Sequence, residues 1–174
     1  FSGNLLTLYL FYELLTLATV PLVMHDMTHE ALAASRKYLY YSLGGAAFAF
    51  MGIVFLAFYG ATLDFTPLAA SINSGMMLDH RDMMMVVYVM TFFGFSVKAA
   101  MFPFHGWLPT ASVAPTPVTA LLHAVAVVKS GAFAILRLTY FSYGVIFLKG
   151  TRAQEVVMLA AMITVVFAST MAVK

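Results

Sequence analysis

Five stretches of nearly unbroken apolar residues dominate the chain: Leu5 to Met24, Tyr38 to Leu63, Met83 to Leu108, Val118 to Tyr143 and Glu155 to Lys174. Each is close to the roughly 20 residues a helix needs to cross a hydrocarbon core of about 30 Å. Apolar residues occupy the whole circumference of each stretch rather than one stripe, as expected where lipid or other helices cover every side. The pattern predicts an all-α, polytopic transmembrane helical bundle, one module of about five helices over residues 1–174. Leu5 to Met24 has no basic leader and no small-residue cleavage site, so it reads as a spanning helix rather than a signal peptide. The opening residue, Phe1, and the run from Met158 to Lys174, which stops without a loop, predict a fragment truncated at both ends.

The connections differ in character. His25 to Lys37 reads as a polar loop; Asp64 to Asp82 is longer, with Pro67, Asn73, Ser74 and Gly75 as breakers and room for a helical turn. Pro103, Pro109, Pro115 and Pro117 punctuate the third junction, which holds no charged residue. Backbone groups freed at membrane depth are tolerated only where protein or a water-filled cavity covers them. Met83 to Leu108 is therefore predicted to be a proline-broken helix, with Lys98 just before the break.

Composition agrees with the pattern. The 174 residues are 63% hydrophobic and 9% charged, whereas a soluble domain has about a quarter of its residues charged. The chain has no cysteine, which removes disulfides, iron–sulfur clusters and thiolate metal sites. No cofactor is expected in this chain. A net charge of +2 with no basic patch among aromatics excludes nucleic acid as a partner. Partners are expected in the bilayer: lipid and other membrane subunits. Charge does not set the orientation, because Arg36, Lys37 and Lys174 fall on one side and Arg81, Lys149 and Arg152 on the other.

Four ionisable residues interrupt the apolar background: Glu13, Lys98, His123 and Lys129. A charged group at the centre of a spanning helix costs about 2.5 to 3.5 kcal/mol on insertion scales, so four together weigh on the order of 10 kcal/mol against assembly. A cost of that size points to an ion or proton path. Glu13 sits near the middle of the first span, with Tyr9, Thr16 and Val20 close to its face. Lys98 follows Thr91 and Gly94 on one helical face, small residues that leave room for water or a neighbouring carboxylate. Burial disfavours an ammonium and a carboxylate favours it, so a lysine poised between them is switchable. A static Glu13–Lys98 ion pair is the blander alternative, although such pairs seldom add stability over apolar packing.

His123 suits a relay because an imidazole can accept and donate a proton at once. In a regular helix it stands about 9 Å along the axis and about 120° in azimuth from Lys129. Thr119, His123 and Ser130 then share one face, while Lys129 projects from another. Elsewhere, His25, Asp26 and His29 match the two-histidine spacing of a zinc helix, with Asp where a metalloprotease carries Glu, and Glu30 adjacent. A polar membrane-surface loop is the better account. The methionines at 76, 77, 83, 84 and 85 read as adaptable packing at a helix end rather than soft-metal ligands. No metal site is expected.

The run KAAMFPFHGWLPTASVAPTPVTALLHAVAVVKSGAFAILR, Lys98 to Arg137, resembles the proton-antiporter-like membrane subunits of respiratory complex I, Mrp-type cation/proton antiporters and membrane-bound hydrogenases. Phe11 to Leu15, FYELL, is similar to that family's helix with a functional glutamate. The resemblance implies that Glu13 is the key acid, Lys98 the lysine of the broken helix, and His123 and Lys129 the connecting residues. It also implies a fold with inverted repeats, of which this chain matches the fifth to ninth helices, and a cytoplasmic His25 to Lys37 loop. The expected location is an inner membrane, bacterial, archaeal or organellar. The implied function is proton or cation/proton translocation within a larger complex, coupled to NADH–quinone or related oxidoreduction. Two other readings fit the same residues: a secondary Na+/H+ antiporter subunit without redox coupling, and a structural subunit whose buried charges orient helices.

Overall fold

The computed structural model describes residues 2–65 and 75–173. Among these, the regular structure is helical, joined by turns and bends, with one isolated bridge between Asn4 and Asp64. Helix α1, Leu5–Val23, begins where the Asn4 side chain accepts the Thr7 N–H at 2.7 Å. Helix α2, His29–Tyr59, starts well before the predicted Tyr38, because Thr28 caps it by accepting the Ala31 N–H at 3.1 Å and Glu30 sits in its first turn. The predicted His25 to Lys37 loop thus shrinks to a short turn. At 31 residues α2 is about 46 Å long, more than the hydrocarbon core requires, so its charged first turns extend toward the membrane surface.

Pro67, Asn73 and Ser74 lie outside the described residues. Gly75, read as a breaker, instead opens the short helix α3, Gly75–Asp79, the helical turn expected in that connection. Helix α4, Arg81–Ser96, packs closely along α2. A Cβ on Gly94 would come within 2.6 Å of Ala49 N and 2.7 Å of Gly45 O, and one on Gly52 would overlap the Thr91 hydroxyl. Thr91 and Gly94 therefore serve helix contact. The expectation that they leave space for water beside Lys98 does not hold.

Helix α4 ends at Ser96, seven residues before Pro103. Ser96 Oγ donates to Phe93 O at 2.8 Å, Met101 N–H returns to Ser96 O at 3.2 Å, and Ala100 takes φ +56°. A left-handed conformation costs a residue with a Cβ about 1–2 kcal/mol, so the surrounding contacts must hold it. Lys98 consequently lies inside the break, not just before it. A 3-10 turn, Phe104–Gly106, and helix α5, Trp107–Ala111, follow.

Helix α6, Thr116–Ala120, passes into a π turn at Leu121–Val125, then α7, Val127–Arg137, and a second π segment, Leu138–Tyr143. Ala126, at φ −114° and ψ −66°, marks the pinch before α7. After α8, Val145–Leu148, the described chain closes with α9, Arg152–Val173; Lys174 lies outside it. Among the described residues, four elements are long and apolar enough to cross a membrane: α1, α2, the composite Thr116–Tyr143 and α9. The remaining predicted span is the divided pair α4 and α5. One apolar core joins Leu5, Tyr12, Ile53, Phe95 and Tyr143, and a second joins Val23, Ala34, Tyr38, Trp107 and Leu122.

Candidate functional site

The break in the third span delivers Lys98 to α1. Its side chain is 0% exposed, and its ammonium lies 3.1 Å from Glu13 Oε1, whose side chain is 18% exposed. The ammonium also donates to the Tyr12 carbonyl and sits 3.3 Å from the centroid of the Tyr12 ring. Complete desolvation opposes the charge; a carboxylate, a carbonyl oxygen and the negative face of an aromatic ring compensate for it. One lysine thus meets two consecutive residues of α1.

Neighbouring groups fix this geometry. Tyr12 is held by its hydroxyl, which donates to Phe95 O at 3.4 Å, and by an edge-on contact with the Phe95 ring at 5.2 Å. Trp107 is fully buried, and its Nε1–H donates at 2.8 Å to Val97 O, which also accepts the Ala100 N–H at 3.1 Å, so the carbonyl at the break is held from two sides. Gly131 of α7 lets the break approach closely: a Cβ there would stand 2.5 Å from Ala99 N and 2.9 Å from the Lys98 carbonyl carbon. Both obstacles are backbone and cannot swing aside. Gly131→Val should therefore destabilise the protein by about 1–3 kcal/mol through overpacking, read as a lower thermal unfolding midpoint in detergent. An unchanged midpoint would show that the break is not held by α7.

The other two predicted residues are not brought to this centre. His123 lies in the π turn, with Nε2 2.9 Å from Ser112 Oγ. Lys129 is exposed on α7. Among the described residues, no hydrogen bond or ion pair links either to Lys98. The 120° angle between them assumed a regular helix, and the π turn and pinch at Ala126 invalidate it. Nor do Thr119 and Ser130 form a polar stripe with His123, since they donate to Ala114 O and Val127 O. A cavity of about 420 Å³ opens between α1 and α7, lined in part by Tyr12, Leu15, Ser130 and Phe133.

The zinc-like spacing also dissolves. His25 lies in the turn before α2, 3.1 Å from Asp26, while His29 is the first residue of α2, so the two histidines do not share a helix. Sequence reasoning missed Tyr12, Trp107 and Gly131. Trp107 carried a signal, as the chain's single tryptophan in an uncharged, proline-rich segment. Nothing in the sequence marks Gly131 apart from the other glycines.

The chain is similar to known proteins in sequence and fold. The chain is 35% identical over 138 residues to the A/B subunit of a probable K(+)/H(+) antiporter from Rhizobium meliloti (strain 1021), covering 78% of this chain and 13% of that protein. Its fold matches a chain of an archaeal respiratory membrane complex, the membrane-bound sulfane sulfur reductase, with TM-score 0.69 and 28% identity over 79% of this chain and 27% of that one. It also matches a chain of the Mrp complex from Dietzia sp. DQ12-45-1b, with TM-score 0.65 and 26% identity over 83% of this chain and 26% of that one. The chain thus spans roughly a quarter or less of each protein it resembles. The family model for the transmembrane region of NADH:quinone oxidoreductase and Mrp antiporter subunits matches residues 2–174, and the chain belongs to that family of antiporter-like integral membrane proteins.

Proposed function

We propose that this chain supplies a proton-handling centre of a cation/proton-translocating membrane subunit, in which Glu13 controls the charge on Lys98. The observation that carries it is the fully buried Lys98 ammonium, seated in a helix break and 3.1 Å from Glu13. While Glu13 stays close, its negative charge holds the proton on Lys98. When a neighbouring charge draws Glu13 away, only a carbonyl and an aromatic face remain, and the desolvated ammonium releases its proton. His123 and Lys129 are the onward groups of the path, reached through water rather than by direct contact. Other membrane subunits and the surrounding lipid are the partners, and protons, with sodium or potassium, are the cargo.

Exchange driven by ion gradients is the reading favoured by the likeness to the Mrp complex and to part of a K(+)/H(+) antiporter. Coupling to NADH–quinone or related oxidoreduction is the second, favoured by the likeness to an archaeal respiratory complex. The native assembly, reconstituted in vesicles with an imposed cation gradient, separates the two when lumenal pH is followed by a dye. Proton movement without an electron donor supports exchange. Movement only with a donor and its acceptor supports redox coupling, and none under either condition contradicts translocation.

A further inference from the structure

A cavity apart from the Lys98 centre carries charge of its own. It holds about 720 Å³ between α4 and α9, and its mouth is lined by Arg81, Asp82, Gly150, Thr151 and Arg152. Below the mouth its walls are Met85, Val86, Val89 and Met90 of α4 and Val156 of α9. Both helices start at this mouth, α4 at Arg81 and α9 at Arg152. The mouth lies at the end of the bundle away from the α1–α2 turn, because the His80 ring, just before α4, packs edge-on against that of Tyr59, the last residue of α2, with centroids 5.3 Å apart.

The cavity has the depth of one leaflet. The step from Arg81 to Met90 rises about 13.5 Å along α4, close to half of the roughly 30 Å hydrocarbon core. Its charge is unspent. Arg81 is held against α8, with its guanidinium 5.6 Å from the Phe147 ring centroid and donating to Phe147 O at 3.4 Å. That uses one of the five N–H donors of an arginine. Among the described residues the ion pairs are His25–Asp26 and Glu13–Lys98, so no carboxylate neutralises Arg81 or Arg152. Asp82, the acidic residue on the lining, sits in the first turn of α4, where the helix dipole favours a carboxylate; Glu155 has the same place in α9 but does not line the cavity.

Two guanidinium groups above an apolar groove one leaflet deep match the two ends of an acidic phospholipid, since guanidinium forks pair with phosphate oxygens and acyl chains cover methionine and valine. A free phosphate would use the mouth alone and leave the apolar walls uncovered. We propose that this cavity binds an acidic phospholipid of the phosphatidylglycerol type, its headgroup phosphate at Arg81 and Arg152 and an acyl chain along the α4 wall. The lipid also seats α9, in which Ala153 is the buried residue among those described. The proposal does not depend on the translocation reading.

Photolabelling tests it on the full-length protein in its native assembly, in phosphatidylcholine vesicles holding a small share of phosphatidylglycerol with a diazirine on one acyl chain. Label should fall between Met85 and Met90 and on Val156, and unlabelled phosphatidylglycerol should compete where added phosphatidylcholine and inorganic phosphate do not. The Arg81→Gln, Arg152→Gln double variant should cut that labelling by at least about tenfold per assembled complex, as expected for the loss of two lipid-facing charges, while the corresponding lysine double variant keeps most of it. Val86→Trp fills the groove from a wall position that is 70% exposed, so it spares both the core and the charges, and it should cut labelling even if the arginine variant fails to assemble. Absent label means that another helix of the assembly fills the groove. Competition by phosphatidylcholine or by phosphate means a site blind to the lipid's charge or to its chains. Any of these results, or wild-type labelling in an assembled glutamine or tryptophan variant, overturns the inference.

Discussion

Glu13→Gln should slow ion translocation by about tenfold or more per assembled complex, measured as the initial rate of pH change in vesicles. Glutamine keeps the size and the oxygen that meets Lys98 but removes the charge. The fully buried Lys98 ammonium then loses its counter-charge, and each 1.36 kcal/mol is a factor of ten in rate. Breaking a fully buried ion pair costs about 3–5 kcal/mol. Glu13 retains 18% exposure, so the destabilisation should fall below that range and leave a complex that assembles. If Glu13 were a static anchor, the pattern would reverse: assembly would drop, and whatever assembled would conduct at the wild-type rate.

The sequence revealed the membrane class, the run of spans and the isolated ionisable residues, because length, uniform apolarity and isolated charges are properties of single segments; the pairing of Glu13 with Lys98 is one reading among several that those residues allow. Boundaries were less legible. Arg36 and Lys37 suggested a loop, although Thr28 and Glu30 form a helix start that outranks them, and a long helix can carry charge beyond the hydrocarbon. The break was expected at the prolines, yet α4 ends at Ser96, seven residues before Pro103. What ends it is a set of distant contacts: Trp107 on Val97 O, Gly131 against Ala99, and Ala100 held at φ +56°. None of these is a local sequence signal, and Ala100 lacks even the glycine that usually announces a left-handed residue.

His123 and Lys129 fared differently for the same reason. Their spacing could be counted only by assuming a regular helix, and the π turn at Leu121–Val125 depends on packing that the sequence does not display. Thr91 and Gly94 were correctly seen as small but assigned to the wrong neighbour. They meet α2, and the glycine that touches the Lys98 segment is Gly131 on α7, which lets the backbones close together.

The central claim is that the Lys98 amine carries the translocated proton, and Lys98→Met tests it most directly. Methionine nearly matches the lysine stem in length and is at ease in an apolar site. Removing Lys98 leaves Glu13 without its partner, but that side chain keeps 18% exposure, so the cost should fall below the roughly 3–5 kcal/mol of a fully buried broken pair and the variant should assemble. No other residue between Val97 and Pro103 is titratable, so nothing else in the break can take over. The measurement is proton flux in vesicles holding the Lys98→Met complex, normalised to the amount assembled. The predicted result is normal assembly with flux at the level of empty vesicles; assembled Lys98→Met complex conducting at the wild-type rate would contradict the account.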